Sequence, residues 1–129
     1  MMNEVIKTAK APKAVGAYSQ AIKAGGYLYT SGQIPIDPET GVFVEGGVEA
    51  QTKQVMENLK QVIQEAGLDF DDVIKTTIFI LDMGDFAAVN KVYEQYFTKT
   101  LPARSCVGVA SLPKGALVEI ELVAYCHNK

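Results

Sequence analysis

The sequence has few of the side chains on which many catalytic sites depend. Its 129 residues include one histidine, His127, and two cysteines, Cys106 and Cys126. A zinc site needs at least three suitable ligands, and adjacent residues such as Cys126 and His127 point to opposite sides of a strand. Because His127 lies near the last residue of the sequence, where fraying is expected, we expect it to be a poor base for a Ser-His-Asp or Cys-His arrangement. We therefore expect neither metal catalysis nor a triad hydrolase, although a metal site built from carboxylates stays open.

Runs of like charge are also missing. The 12 basic and 15 acidic side chains give a net charge of -3 and are spread along the chain. Nucleic-acid-binding domains usually carry a basic stripe, so this balance argues against an RNA or DNA partner, although a local patch stays open. Neither a complete P-loop nor a GxGxxG motif opens a helix, so nucleotide binding has no support from motifs.

Long apolar segments are absent as well. No run reaches the length of a membrane span, and the opening MMNEVIKTAKAPK lacks the apolar region of a secretory signal. Two cysteines in a chain of this size do not suggest a disulfide framework, which fits a reducing compartment. We expect a cytoplasmic protein with no membrane partner. Its 48% hydrophobic content is enough for the core of one domain over residues 1–129.

The first half of the chain predicts short strands. A first strand is expected around Val5 and Ile6, followed by a hairpin that turns at Gly25-Gly26, a pair suited to positive φ values. Pairing across this turn puts four polar residues on one face, with Gln20 opposite Ser31 and Tyr18 opposite Gln33. A further short extended piece is expected at 42–44, within a loop rich in proline and glycine.

The second half predicts two amphipathic helices and a buried strand between them. Helical spacing covers 48–66, with Gly67 as the C-terminal cap, and β-branched residues fill a strand over 73–82. A second helix is expected over 85–98, with Asp85 as its N-cap. The side chains expected on its inner face are Phe86, Val89, Tyr93, Tyr96 and Phe97. This order favours an α+β fold in which both helices cover one face of a mixed sheet. The other face then needs a cover, which predicts a homo-oligomer.

Residues 102–126 alternate in a way that predicts a hairpin with a polar face. On that face Arg104 and Cys106 would lie near Glu119 and Glu121, while Val107 would lie on the opposite, core-facing side. An arginine of this kind suits a carboxylate ligand, and a glutamate beside it could hold a water or move a proton. A surface ion pair explains the same pattern. Cys106 beside a cation could be a nucleophile of lowered pKa, or a small packed apolar group.

Five separated segments give the chain a family resemblance. They are APKAVGAYSQA at 11–21, YLYTSGQIPIDPETG at 27–41, QTKQVMENLKQVIQEAG at 51–67, LDMGDFAAVNKVYEQYF at 81–97 and PARSCVGVASLPKGALVEIE at 102–121. In order and spacing the chain resembles the RidA/YjgF family of reactive intermediate deaminases over nearly its whole length. The resemblance implies a chorismate-mutase-like α+β fold, a homotrimer whose sheets line a central barrel, and ligand sites between subunits. It also implies hydrolysis of enamines and imines such as 2-aminoacrylate, 2-iminopropanoate and 2-iminobutanoate, without a cofactor.

The resemblance also implies roles for individual residues. Arg104 matches the carboxylate-binding arginine, Glu119 the glutamate associated with the water, and Cys106 the cysteine whose backbone lies against the ligand. Four more residues match the substrate-binding cleft: Tyr18, Ser31, Gly32 and Asn90. Two other classes of function stay open, namely a non-enzymatic sensor of small carboxylates and an RNA-directed ribonuclease or translation inhibitor.

Overall fold

The computed structural model describes residues 3 to 127. Within these residues the structure has six strands: β1 (Glu4–Ile6), β2 (Ala21–Ala24), β3 (Tyr27–Thr30), β4 (Val73–Ile80), β5 (Ala103–Gly108) and β6 (Val118–Tyr125). Two α-helices are α1 (Val48–Glu65) and α2 (Phe86–Tyr93), and single 3₁₀ turns flank α2 on both sides, at Met83–Asp85 and Glu94–Tyr96.

The strands form one mixed sheet in the order β1-β2-β3-β6-β4-β5. Neighbouring strands are antiparallel except β4 and β5, which run parallel. Helix α1 packs on β6 and on α2. Helix α2 reaches the same side of the sheet, since the Tyr93 hydroxyl is 2.8 Å from the Thr76 hydroxyl of β4. This α+β arrangement, with both helices on one face, is the predicted one.

Alternating burial along β4 and β6 defines the core. In β6 every second side chain is buried, namely Val118, Ile120, Leu122 and Ala124, and they meet the apolar stripe of α1. Helix α1 ends as predicted. Gly67 has a φ of +81°, and the amide of Leu68 donates to the carbonyl of Ile63 at 2.9 Å, which closes the helix end.

The predicted hairpin between β5 and β6 is wrong. Strand β4 lies between them and pairs with both. Alternation shows which residues share a face of one strand, but it does not show which strand is the neighbour. The predicted core-facing side of β5 is also wrong, because Val107, expected in the core, is 42% exposed on the side away from the helices. Strand β5 is an edge strand, and an edge strand buries fewer apolar side chains than the central β4 and β6.

The turn at Gly25-Gly26 is confirmed, with φ values of +58° and +86° that glycine adopts without strain. The strands pair in the predicted register, and the Ser31 amide donates to the Gln20 carbonyl at 2.9 Å. The expected pairing of Tyr18 with Gln33 is wrong, because Gln33 bridges to Ile120 of β6 instead. The segment just before Gln20, which includes Tyr18, therefore lies outside the sheet. The short piece expected at 42–44 makes a single bridge, between Ile36 and Phe43.

Helix α2 begins differently from the prediction. Asp85 occupies the position before the helix, but its side chain makes no capping hydrogen bond. The carboxylate of Asp82 instead accepts from the Gly84 amide at 2.8 Å, within the 3₁₀ turn. The regular helix also ends at Tyr93, five residues before the predicted end, and continues as the turn Glu94–Tyr96. The predicted inner face holds, since Val89, Tyr93 and Phe97 are buried.

We call the side of the sheet opposite the two helices the helix-free face. Strand register puts aromatic, aliphatic and acidic side chains there together, among them Tyr27, Tyr29, Tyr125, Phe79, Val107, Glu119 and Glu121. The three tyrosines are each more than a third exposed. Within residues 3 to 127, none of the helices is long and apolar enough to cross a membrane.

Candidate functional site

Arg104 lies on the edge strand β5 and faces the helices. It is opposite Thr76 of β4, whose side chain is buried, and Cys106 is opposite Ile78, which is also buried. Because residues paired across a sheet share a face, Arg104 and Cys106 both belong to the helix-covered side. The edge position leaves the arginine exposed to solvent while its base stands beside the core.

Three side chains of α2 surround the Arg104 guanidinium. Its Nη1 donates to Asn90 Oδ1 at 2.6 Å. The guanidinium carbon is 5.2 Å from the centre of the Phe86 ring and 5.1 Å from that of Tyr93, within cation–π range. Arg104, Asn90 and Tyr93 line a cavity of about 350 Å³ together with Glu94, Leu101 and Pro102. A cation thus stands at the wall of an open cavity that is large enough for a small ligand. We call this group of Arg104, Phe86, Asn90 and Tyr93 the arginine cluster.

Cys106 follows Arg104 on the same side of β5, where it is half-buried and packs against the core. Burial raises the pKa of its thiol, and the positive charge of Arg104 offsets part of that rise. The net direction is upward, so the arginine does not make Cys106 a more acidic thiol. This geometry favours packing over nucleophilic chemistry for the side chain.

Glu119 lies on β6, on the helix-free face, with Glu121 two residues further along the same face. Its carboxylate presses against the backbone of Gly32, so closely that a Cβ atom at position 32 would overlap it. Burial raises the pKa of Glu119, and the like charge of Glu121 raises it further. Gly32 therefore makes room for a carboxylate within its own chain, a role that the sequence did not suggest. We call Glu119, Glu121 and Gly32 the glutamate cluster.

Ser31 and Tyr18 lie near the end of β3 but are engaged in different ways. The Ser31 hydroxyl donates to the Ser19 carbonyl at 2.6 Å, which ties β3 to the segment that carries Tyr18. Tyr18 is 53% exposed, and its hydroxyl accepts from the Val15 amide at 3.4 Å. Tyr18 and Ser19 line a cavity of about 570 Å³ with the N-terminal segment, including Lys7 and Lys13.

Arg104 and Glu119 do not lie side by side, contrary to the expectation from the hairpin. Glu119 is opposite Phe79 of β4, whereas Arg104 is opposite Thr76 of the same strand. Successive residues of a strand point to opposite faces, so Thr76 and Phe79 lie on different sides of the sheet. The arginine cluster and the glutamate cluster of one chain are thus separated by the sheet itself.

Sequence reasoning missed Phe86 and Tyr93 as neighbours of the arginine. It assigned both to the inner face of the second helix, but not to any contact with Arg104. A signal was present: Phe86, Asn90 and Tyr93 follow the i, i+4, i+7 spacing of one helix face. Within residues 3 to 127, no three His, Cys, Asp or Glu side chains come together as a metal site would require.

Comparison with known proteins finds one family over almost the whole chain. The family described as Endoribonuclease L-PSP matches residues 8–126. A curated relative from Salmonella typhimurium, the 2-iminobutanoate/2-iminopropanoate deaminase, is 49% identical and covers 95% of this chain and 98% of its own. Another, from Pyrococcus horikoshii, is 54% identical over 96% of this chain and 98% of its own, and is named only as a RutC family protein.

Solved structures agree with the fold. A Rid family protein of unknown function from Yersinia pestis superposes with a TM-score of 0.94 at 52% identity, over 96% of this chain and 99% of its own. The structure of Escherichia coli TdcF with bound serine superposes with a TM-score of 0.91 at 45% identity, over 95% and 98%. The mixed sheet with two helices is therefore shared with proteins that differ from this chain at about half of their positions.

Proposed function

The chain belongs to the RidA/YjgF family, and from that premise we propose that it is a hydrolytic deaminase of reactive enamines and imines. The substrates would be 2-aminoacrylate and its imine tautomer 2-iminopropanoate, together with 2-iminobutanoate. The products would be 2-oxo acids and ammonia. Support comes from the relatives named as deaminases, which are nearly half identical to this chain over almost its full length.

The observation that carries the proposal is the arginine cluster. A guanidinium has five N–H donors in a planar fork, which matches the two oxygens of a carboxylate. Nη1 of Arg104 donates to Asn90, and Arg104 itself lines a cavity of about 350 Å³. An imino acid, like the serine bound in TdcF, carries a carboxylate beside a small side chain. Arg104 therefore serves as the carboxylate anchor in this proposal.

Glu119 supplies the second half of the reaction. Its pKa is raised, and so lies closer to neutral pH than the pKa of an ordinary glutamate. A carboxylate of this kind suits the role of orienting a water and transferring its protons. The water oxygen adds to the imine carbon while the nitrogen gains a proton, giving a carbinolamine. The hydroxyl proton is then transferred to the nitrogen, the C–N bond breaks, ammonia leaves, and the oxygen becomes the carbonyl of the 2-oxo acid. No step needs an oxidant, a metal or a covalent bond to the protein, since an iminium carbon is already electrophilic.

Two copies of the chain are needed to bring the halves of this site together. In one chain Arg104 and Glu119 lie on opposite sides of the sheet. The helix-free face, with its exposed tyrosines, is apolar enough to pack against another subunit. We propose a homotrimer in which the sheets line a central barrel and each cleft joins the arginine cluster of one subunit to the glutamate cluster of the next. Tyr18, Ser31 and Gly32 then line the glutamate side of the cleft.

A trapping assay tests the activity. An amino-acid oxidase generates an imino acid, semicarbazide captures it, and a deaminase slows semicarbazone formation by removing the imine first. The wild type should slow trapping, and Arg104→Ala should lose roughly 100-fold or more of the effect, because two charge-assisted hydrogen bonds are lost. Lys91→Ala is the matched control, since Lys91 is an exposed cation on α2, the helix that surrounds Arg104. No slowing by the wild type with several imino acids would reject the deaminase and favour a carboxylate sensor.

An RNA-directed activity is the second candidate, and the family description as an endoribonuclease favours it. The net charge of -3 counts against it, because RNA binding normally draws on a basic surface. A filter-binding titration with single-stranded RNA at two salt concentrations separates the two functions. Micromolar binding that weakens steeply with salt, unaffected by Arg104→Ala, would support the RNA role.

A further inference from the structure

Arg104 is an exposed side chain on an edge strand, yet three groups of α2 hold its charged end. We propose that Phe86 and Tyr93 form an aromatic bracket that fixes the guanidinium in the orientation needed to bind a carboxylate. The two residues act as positioning residues, since they contact Arg104 and are not assigned a contact with substrate. This inference rests on the proposed function, because it assumes that Arg104 is the carboxylate anchor.

The aromatic bracket reduces the conformational entropy of the long Arg104 side chain. A free arginine on an edge strand samples many rotamers, and a ligand that binds it must restrict them at a cost in entropy. Two ring faces at 5.2 and 5.1 Å from the guanidinium carbon attract the cation and limit the planes in which it can lie. Part of the ordering is then complete before the ligand arrives, which raises affinity without a new contact.

The rings are themselves held on rigid elements. Tyr93 is almost fully buried, packs 4.8 Å from the centre of the Phe97 ring, and shares a 2.8 Å hydrogen bond with Thr76. Thr76 is the residue directly opposite Arg104 in the sheet, so this hydrogen bond holds α2 against β4 beside Arg104. Phe86 is the first residue of α2 and packs partly against the core. A site built on helix and strand keeps its geometry better than one built on loops.

Asn90 completes the arrangement between the two rings. It lies one turn after Phe86 and nearly one turn before Tyr93, on the same side of α2. Its Oδ1 engages a single nitrogen, Nη1, at 2.6 Å. The rings restrict the plane of the guanidinium and the amide restricts its rotation within that plane, so the N–H donors of Nη2 and Nε remain for a carboxylate fork.

The test compares substitutions that remove a ring face but keep apolar bulk. Dissociation constants are measured by calorimetry for 2-oxobutanoate, a product of the proposed reaction, and KM and kcat are measured for the imine. Phe86→Leu should weaken 2-oxobutanoate binding and raise KM by roughly 3- to 30-fold, the range expected for a partly desolvated cation–π contact, while kcat changes about 2-fold or less. Phe70→Leu is the matched control, because its ring packs on Tyr96 and Phe97 rather than on Arg104.

Substitutions at Tyr93 test the aromatic bracket independently of Phe86. Tyr93→Phe keeps the ring and should bind 2-oxobutanoate several-fold more tightly than Tyr93→Leu, which lacks it. If Tyr93→Leu fails to fold, Phe86→Leu alone decides, and circular dichroism with size-exclusion chromatography establishes that the variant is folded. In an Arg104→Gln background, Phe86→Leu should have no further effect on binding, since the cation on which the ring acts is gone.

The outcomes separate this inference from the proposed function. Weaker binding in Phe86→Leu by a protein that hydrolyses no imine would keep the bracket and reject the deaminase. A wild type that hydrolyses imines and a Phe86→Leu variant with unchanged KM and affinity would keep the deaminase and reject the bracket. An equal effect of Phe86→Leu in the wild-type and Arg104→Gln backgrounds would also overturn it, since the loss would then come from packing.

Discussion

The arginine cluster and the glutamate cluster hold opposite charges in opposite ways. Arg104 is exposed, yet two aromatic rings and an amide oxygen fix its charged end. Glu119 is half-buried, next to another glutamate and against a glycine that leaves space for it. The first arrangement stabilises a charge and its orientation, which is what binding requires. The second raises the pKa of a carboxylate, which is what proton transfer requires. Under the proposed function, the binding residue Arg104 and the proton-transferring residue Glu119 therefore lie on separate sides of one sheet.

Replacing Glu119 should have the largest effect, because it should lower catalysis while leaving ligand binding nearly unchanged. Glu119→Gln keeps the shape but removes the base, so kcat for imine hydrolysis should fall roughly 100- to 1,000-fold. The affinity for 2-oxobutanoate should stay within about 3-fold of the wild-type value, because the carboxylate of the ligand is held by Arg104. Calorimetry and trapping kinetics measure the two quantities on the same preparation. A large loss of affinity with an unchanged kcat would assign Glu119 to binding, and the two clusters would then not differ in their roles.

Filling the space beside Glu119 should have the next largest effect. A Cβ in Gly32→Ala would overlap the Glu119 carboxylate and displace it. Because small misplacements of a catalytic group lower rates steeply, we expect kcat to fall roughly 10- to 100-fold. Gly47→Ala is the matched control, since a Cβ there meets open space. Equal trapping rates for the wild type and Gly32→Ala would mean that the carboxylate moves without consequence.

Removing the like charge at Glu121 should shift the pH dependence. Glu119 must lose its proton to act as a base, and its raised pKa puts the acid limb of activity above the usual range for glutamate. Glu121→Gln removes the smaller of the two causes, so the pKa of Glu119 should fall and the acid limb should move to lower pH. A pH series of kcat/KM for both proteins measures the shift. A limb that moves to higher pH would contradict the assignment.

The thiol of Cys106 should matter least. Its pKa is raised by burial, and the side chain packs against the core. Cys106→Ser should therefore change kcat/KM for imine hydrolysis by about 3-fold or less, while the backbone of strand β5 stays in place. Alkylation with iodoacetamide gives a second measure, since a thiol of raised pKa reacts slowly near neutral pH. Loss of turnover in a folded Cys106→Ser oligomer would bring back a thiol-dependent mechanism.

The sequence predicted those parts of the fold that depend on local pattern. The turn at Gly25-Gly26, the stripe of α1 and the buried strand β4 each follow from residues close together in the chain. Strand order depends on contacts between distant segments, and alternation carries no information about it. For that reason β4 was not expected between β5 and β6.

The candidate site followed the same rule. The chemistry of Arg104 and Glu119 marks both as candidate site residues, but the predicted strand pairing that joins them is wrong. Phe86 and Tyr93 were assigned to the correct side of α2 by their spacing, yet their contact with Arg104 depends on how the helix crosses the edge strand. The closeness of Gly32 to Glu119 had no signal in the sequence, because it depends on the bridge between Gln33 and Ile120.

In the proposed homotrimer each active site joins Arg104 of one subunit to Glu119 of another, and this arrangement can be tested by mixing two inactive variants. Arg104→Ala and Glu119→Gln are unfolded together, refolded at equal concentration and assayed by imine trapping. Random assembly into a closed ring pairs an intact arginine with an intact glutamate in about a quarter of the clefts, so the mixture should recover about a quarter of wild-type activity. If the mixture stayed as inactive as either variant alone while forming mixed oligomers, the site would lie within a single chain and the account would be contradicted.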